Sequence, residues 1–106
     1  MLKDMELVNE ALISKNEDQK LIAEEGIKWI TTLLKKNQDY GSTVFRTPTL
    51  CPKLEPGEAI FVRMSDKIDR IKNLRQAAPH NESLEDSVND LGAYCLLWLI
   101  ERAKNG

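Results

Sequence analysis

Ten consecutive residues, Leu91–Ile100, carry no charge, and few folds accommodate such a run in a chain this short. It has about half the length that a bilayer-spanning helix needs, so it is expected to be a helix segment buried against protein, not lipid. The rest of the chain also favours helices. Only five glycines and four prolines interrupt 106 residues, and alternating β-branched stretches are scarce. That length fits one domain, 1–106, with a single small core. Hydrophobic residues at 42% and charged residues at 30% argue against disorder. A net charge of −2 provides no overall basic field to draw in nucleic acid or an anionic membrane. Cys51 and Cys95 are far apart and form no CxxC pair, and Met1–Glu10 lacks the basic and apolar regions of a targeting signal. Both features lead to the expectation of a reduced, cytoplasmic protein.

Periodicity divides the chain into three long helices, with a short one over Met5–Ile13 as a possible fourth. Asn16, with Gln19 three residues later, has the form of a capping box. The helix it opens carries Ile22, Trp29, Ile30, Leu33 and Leu34 in helical register and is expected to end near Asn37. Residues Gln38–Gly57 hold three of the four prolines and show no period. A connection of that length in a small domain is often functional. The next helix starts at Pro56–Gly57, aligns Phe61, Met64, Ile68, Ile71 and Leu74 on one face, and reaches about Ala77 before Pro79. Asn81 or Ser83 caps the last helix, which ends near Lys104. The expected fold is therefore all-α, a small bundle of three to four helices.

The last helix carries an acidic stripe. At 100° per residue, Glu82, Asp86 and Asp90 lie on one face, and Leu84, Val88, Leu91, Cys95 and Leu99 lie on the other. The acidic face runs on into Ala93, Leu97 and Ile100, so its charges point along a direction that turns apolar. Like charges at i, i+4 and i+8 repel, and more so when desolvated, so a cation is expected between them. Oxygen-only donors suit Mg²⁺, or Mn²⁺, better than zinc. For Glu82, Glu85 and Asp86 an ordinary helix start is an equal explanation, since acids favour a first turn and Ser83 with Asp86 also resembles a capping box. Asp90, two turns in, escapes that explanation.

The preceding helix has five basic and two acidic residues from Arg63 to Arg75. Arg63, Asp66, Lys67 and Arg70 form a polar stripe, and Asp66 and Asp69 fall on adjacent turns. A salt-bridged surface would look similar. If the two helices pack together, Asp66 and Asp69 meet Asp86 and Asp90, with Arg63, Lys67 and Arg70 placed for phosphate oxygens.

Three segments in this order, Lys36-Asn37-Gln38-Asp39-Tyr40-Gly41, Arg63-Met64-Ser65-Asp66-Lys67-Ile68-Asp69-Arg70 and Glu82-Ser83-Leu84-Glu85-Asp86-Ser87-Val88-Asn89-Asp90-Leu91, resemble the MazG-like all-α nucleoside triphosphate pyrophosphohydrolases. The resemblance spans about Gly26 to Ile100. It implies Mg²⁺-dependent cleavage between the α and β phosphates, giving a nucleoside monophosphate and pyrophosphate. It places Asp66, Asp69, Asp86 and Asp90 at the metal-binding positions, with Glu82 in support, and it implies catalytic roles for Asp66, Lys67 and Asp90. Asp39, Tyr40, Arg63, Lys67 and Arg70 are the expected substrate contacts, Tyr40 either stacking on a base or plugging the core. The chain departs from the family's pattern in having aspartates at the first acidic pair, where the family has glutamates, and in spacing the second pair by four, not three.

A module of the same fold that binds a nucleotide or a partner without catalysis is the alternative. Nucleic-acid binding through Arg63–Arg75 is disfavoured because no aromatics interleave with the stripe. Arg46 and His80 read as surface residues. Three helices cannot shield a segment that is apolar all round, so a homodimer or higher homo-oligomer is expected, with Leu91–Ile100 packed on a partner helix.

Overall fold

The computed structural model describes residues 2–76 and 83–105. Among the described residues four α-helices follow one another: α1 (Leu2–Leu12), α2 (Glu17–Tyr40), α3 (Pro56–Gln76) and α4 (Leu84–Asn105), with a 3₁₀ turn, Thr43–Phe45, between α2 and α3. No strand occurs among the described residues, so the fold is all-α, with three long helices and the shorter α1. It divides into two compact units, Met1–Asp39 and Tyr40–Gly106.

In the first unit, Asn16 caps α2 as its spacing predicts. Its Oδ1 accepts from the N–H groups of Asp18 (3.1 Å) and Gln19 (3.3 Å), and its carbonyl accepts from Lys20 N–H. Two of the donors left over at the start of a helix are thereby satisfied. Helix α1 begins at Leu2, earlier than the expected Met5, with Asp4 in its first turn. Along α2, Trp29 and Leu33 are half-buried, whereas Ile22, Ile30 and Leu34 are exposed. Helix α2 runs on past Asn37, so Asp39 and Tyr40 form its last turn instead of opening the loop. Gly41 stops it at φ +68°, a left-handed conformation that an L side chain resists.

The second unit is built on α3 and α4. Pro56 stands at the first helical position, where its missing N–H costs nothing, and Ala59 N–H donates to Glu55 O at 2.9 Å. Ser83 caps α4, its Oγ accepting from Asp86 N–H at 3.1 Å; the alternative cap, Asn81, lies outside the described residues. The segment between the 3₁₀ turn and α3 is organised by two successive turns, with Cys51 N–H donating to Pro48 O and Leu54 N–H to Cys51 O.

Helices α3 and α4 run antiparallel. Three contacts fix their register: a Cβ on Gly57 would sit 3.6 Å from Trp98 Nε1, the Phe61 and Trp98 rings stack at 5.3 Å, and Lys67 reaches Asp90. The seam follows a spacing of three and four residues, with Ile60, Met64, Lys67, Ile71 and Leu74 facing Leu84, Ser87, Leu91, Tyr94, Trp98 and Glu101. Ile60 and Ser87 are fully buried in it, at 0% exposure. Burying one isoleucine contributes roughly 1.5–3 kcal/mol.

This seam lies to one side of the faces that the sequence marks as apolar. Phe61 and Ile68 on α3, and Val88, Cys95 and Leu99 on α4, are exposed. In α4 the cause is the run Leu91–Ile100 itself: apolar residues on every side leave hydrophobicity unable to choose a face, so the Trp98 stack and the Lys67–Asp90 pair set the rotation. The run meets α3 through Leu91, Tyr94 and Trp98, and Cys95, Leu99 and Ile100 are left exposed.

Candidate functional site

The polar centre of the α3–α4 seam is an ion pair. Lys67 Nζ lies 3.0 Å from Asp90 Oδ2, with the two side chains 16% and 26% exposed. Lys67 thus supplies a cation to the Asp90 carboxylate from the facing helix. Such a pair fixes helix rotation well, because losing either partner leaves a charge in a poorly solvated place.

Arg63 and Arg70 stand one turn either side of Lys67, on the same edge of the seam. In an antiparallel pair, that edge of α3 adjoins the edge of α4 carrying Asp86 and Asp90. A basic ridge and an acidic ridge thus run side by side. Asp86 is exposed in the first turn of α4, where the helix dipole favours a carboxylate.

The acids of α3 point elsewhere. By helical geometry, Asp66 is rotated about 120° from the seam and Asp69 about 180°, and both are exposed. Within this unit α3 and α4 do not bring Asp69 together with Asp86 and Asp90, because the face bearing Asp69 is turned away from α4. Among the described residues, no group of three or more His, Cys, Asp or Glu side chains is arranged to hold a metal ion. Glu82 and His80 lie outside the described residues. Asp39 and Tyr40 occupy the end of α2, and Tyr40 is exposed. Arg46 is also exposed, beside the 3₁₀ turn.

Two features were not singled out from the sequence. Trp98 lies between Phe61, stacked on it, and the Arg102 guanidinium, 5.6 Å from its ring. Lys104 similarly stands 4.6 Å from the Phe45 ring, joining the end of α4 to the 3₁₀ turn. Glu101 is the other: it is 7% exposed, and its Oε1 accepts from Asn105 Nδ2 at 2.7 Å. Its Oε2 is buried with no hydrogen-bond partner among the described residues. The signal for both Trp98 and Glu101 was the three-four spacing from Leu84, which ends on these two residues.

No protein-family model matches the chain, and neither do the characterised proteins or the solved structures compared with it. The fold and the site define an all-α protein organised around a half-buried interhelical ion pair between a basic and an acidic ridge. No helix among the described residues is long and apolar enough to cross a membrane.

Proposed function

We propose that the chain is a cytoplasmic, Mg²⁺-dependent nucleoside triphosphate pyrophosphohydrolase of MazG-like type, acting as a homodimer or higher homo-oligomer. The observation that carries this reading is the α3 ridge of Arg63, Lys67 and Arg70, aligned beside acidic α4 by the Lys67–Asp90 contact of 3.0 Å. Guanidinium groups with fixed donor geometry beside an ammonium suit the oxygens of a triphosphate. The order of the three sequence segments supplies the reaction type.

The metal fits in a restricted sense. Asp66 and Asp69, one turn apart and exposed, offer two carboxylates and not a closed cage. Mg²⁺ is commonly held in this way, by one or two carboxylates together with substrate phosphates and water. When bound, it would neutralise phosphate charge and activate water. The chain's own contribution is to orient the phosphates along Arg63 and Arg70, while Lys67, held by Asp90, keeps a positive charge at the centre of the ridge. Asp90 thus positions Lys67, and the exposed Asp86 is the proposed further oxygen ligand on α4. Tyr40, in the same unit as the ridge, is the proposed contact to the nucleoside.

A non-catalytic binding module has its own supporting observation: Asp90 is engaged by Lys67, and no acidic triad is assembled among the described residues. Purified protein with Mg²⁺ and a panel of ribo- and deoxynucleoside triphosphates separates the two. Pyrophosphate release supports the hydrolase; calorimetric binding with no turnover of any nucleotide replaces it with the module.

A further inference from the structure

Beyond the seam, α4 presents a second stripe with the same three-four spacing, on the face that α3 leaves uncovered: Glu85, Val88, Gly92, Cys95, Leu99 and Arg102. Val88 is 52% and Leu99 60% exposed, Glu85, Cys95 and Arg102 are exposed as well, and Gly92 is half-buried. The order is palindromic in character. An acid stands at the start, an aliphatic side chain follows, two small residues occupy the middle, and then an aliphatic side chain and a base complete it. The whole helix shares this polarity, with Glu85 and Asp86 in its first turn and Arg102 and Lys104 in its last.

We propose that this stripe is the contact between two copies of the chain, α4 packing antiparallel on α4 about a two-fold axis midway between Gly92 and Cys95. In that register Glu85 of each copy meets Arg102 of the other, and Val88 meets Leu99. Gly92 meets Cys95, where the absence of a side chain on Gly92 lets the two backbones approach. A two-fold contact must be self-complementary, since residue i meets j and j meets i. This stripe satisfies that condition at all three levels, in charge, bulk and small size. A spacing alternating between three and four residues also suits the shallow crossing of paired helices. The charged ends give the antiparallel pairing a preference over the parallel one, which would set acid against acid and base against base. The proposal rests on the homo-oligomer reading above and specifies its surface.

Charge reversal of the full chain tests it, read by sedimentation equilibrium. Glu85→Arg alone sets two Arg–Arg contacts across the axis, and Arg102→Glu alone sets two Glu–Glu contacts. Each is expected to weaken self-association roughly tenfold. Mixing the two variants restores both opposite-charge contacts, so a heterodimer of near wild-type affinity is expected. Circular dichroism confirms that each variant remains helical; a variant that does not is replaced by Glu85→Lys or Arg102→Asp. A wild-type chain that stays monomeric at about 100 µM, a concentration at which specific self-association is readily populated, overturns both the oligomer and its surface. A wild-type dimer unaffected by either reversal overturns this surface alone and leaves the oligomer standing.

Discussion

At the scale of single residues, the Lys67–Asp90 pair is a rotational lock on two otherwise ambiguous helices. Lys67→Ala leaves the Asp90 carboxylate three-quarters covered without its ammonium, and Asp90→Ala does the converse. Each substitution is expected to cost about 1–3 kcal/mol of unfolding free energy. The double variant should lose less than the sum, with a coupling of about 1 kcal/mol in a double-mutant cycle. Urea unfolding of the four proteins measures this, and strict additivity would show that the pair is energetically idle. Glu101 predicts a gain in place of a loss. Its Oε2 is buried without a hydrogen-bond partner among the described residues, and a desolvated, unpaired oxygen is costly. Glu101→Gln keeps the shape and an acceptor for Asn105, and it exchanges a desolvated carboxylate for a neutral amide, whose burial costs less. It should stabilise the protein by about 1 kcal/mol, read as a higher urea midpoint; a lower midpoint would mean that the charge itself is needed.

At the scale of the element, boundaries were legible where a side chain declares them. Asn16 and Ser83 both cap the helices that their spacing announces, because a cap needs only a few neighbouring residues. Two substitutions test these ends. Ser83→Ala removes the acceptor for Asp86 N–H and should cost about 1 kcal/mol. Gly41→Ala forces a side chain into a left-handed conformation and should cost a similar amount, about 1 kcal/mol. A thermal midpoint unchanged in either variant would contradict the corresponding role. Rotation was less legible than extent. The expected seam of Phe61, Met64, Ile68, Ile71 and Leu74 shares Met64, Ile71 and Leu74 with the real one, but Phe61 and Ile68 are displaced to its edge. Two long-range contacts, the Phe61–Trp98 stack and the Lys67–Asp90 pair, set the rotation, and no local pattern encodes them. The second of these gives the Asp90 carboxylate a cationic neighbour. The sequence shows that the carboxylate must meet a cation and is silent on whether that cation is an ion or a lysine. Asp66 and Asp69 lie outside this logic, since their exposure places no such demand on them.

At the scale of the whole molecule, composition and periodicity were enough for an all-α chain, and the uncharged run Leu91–Ile100 was enough to pose the problem of its cover. The α3–α4 seam takes up Leu91, Tyr94 and Trp98 of that run, and the proposed two-fold contact would cover the exposed Cys95 and Leu99. The proposed chemistry rests on the ridge of Arg63, Lys67 and Arg70 on α3, with the exposed Asp66 and Asp69 as the proposed holders of a divalent ion. The most direct measurement is ³¹P nuclear magnetic resonance of a nucleoside triphosphate incubated with the protein and Mg²⁺. The proposed hydrolase converts it to a nucleoside monophosphate and pyrophosphate, and Asp66→Asn, folded as judged by circular dichroism, slows that conversion by at least about 100-fold, the scale on which a catalytic metal contact acts. Intact triphosphate after prolonged incubation with every nucleotide, or full activity in Asp66→Asn, would contradict it.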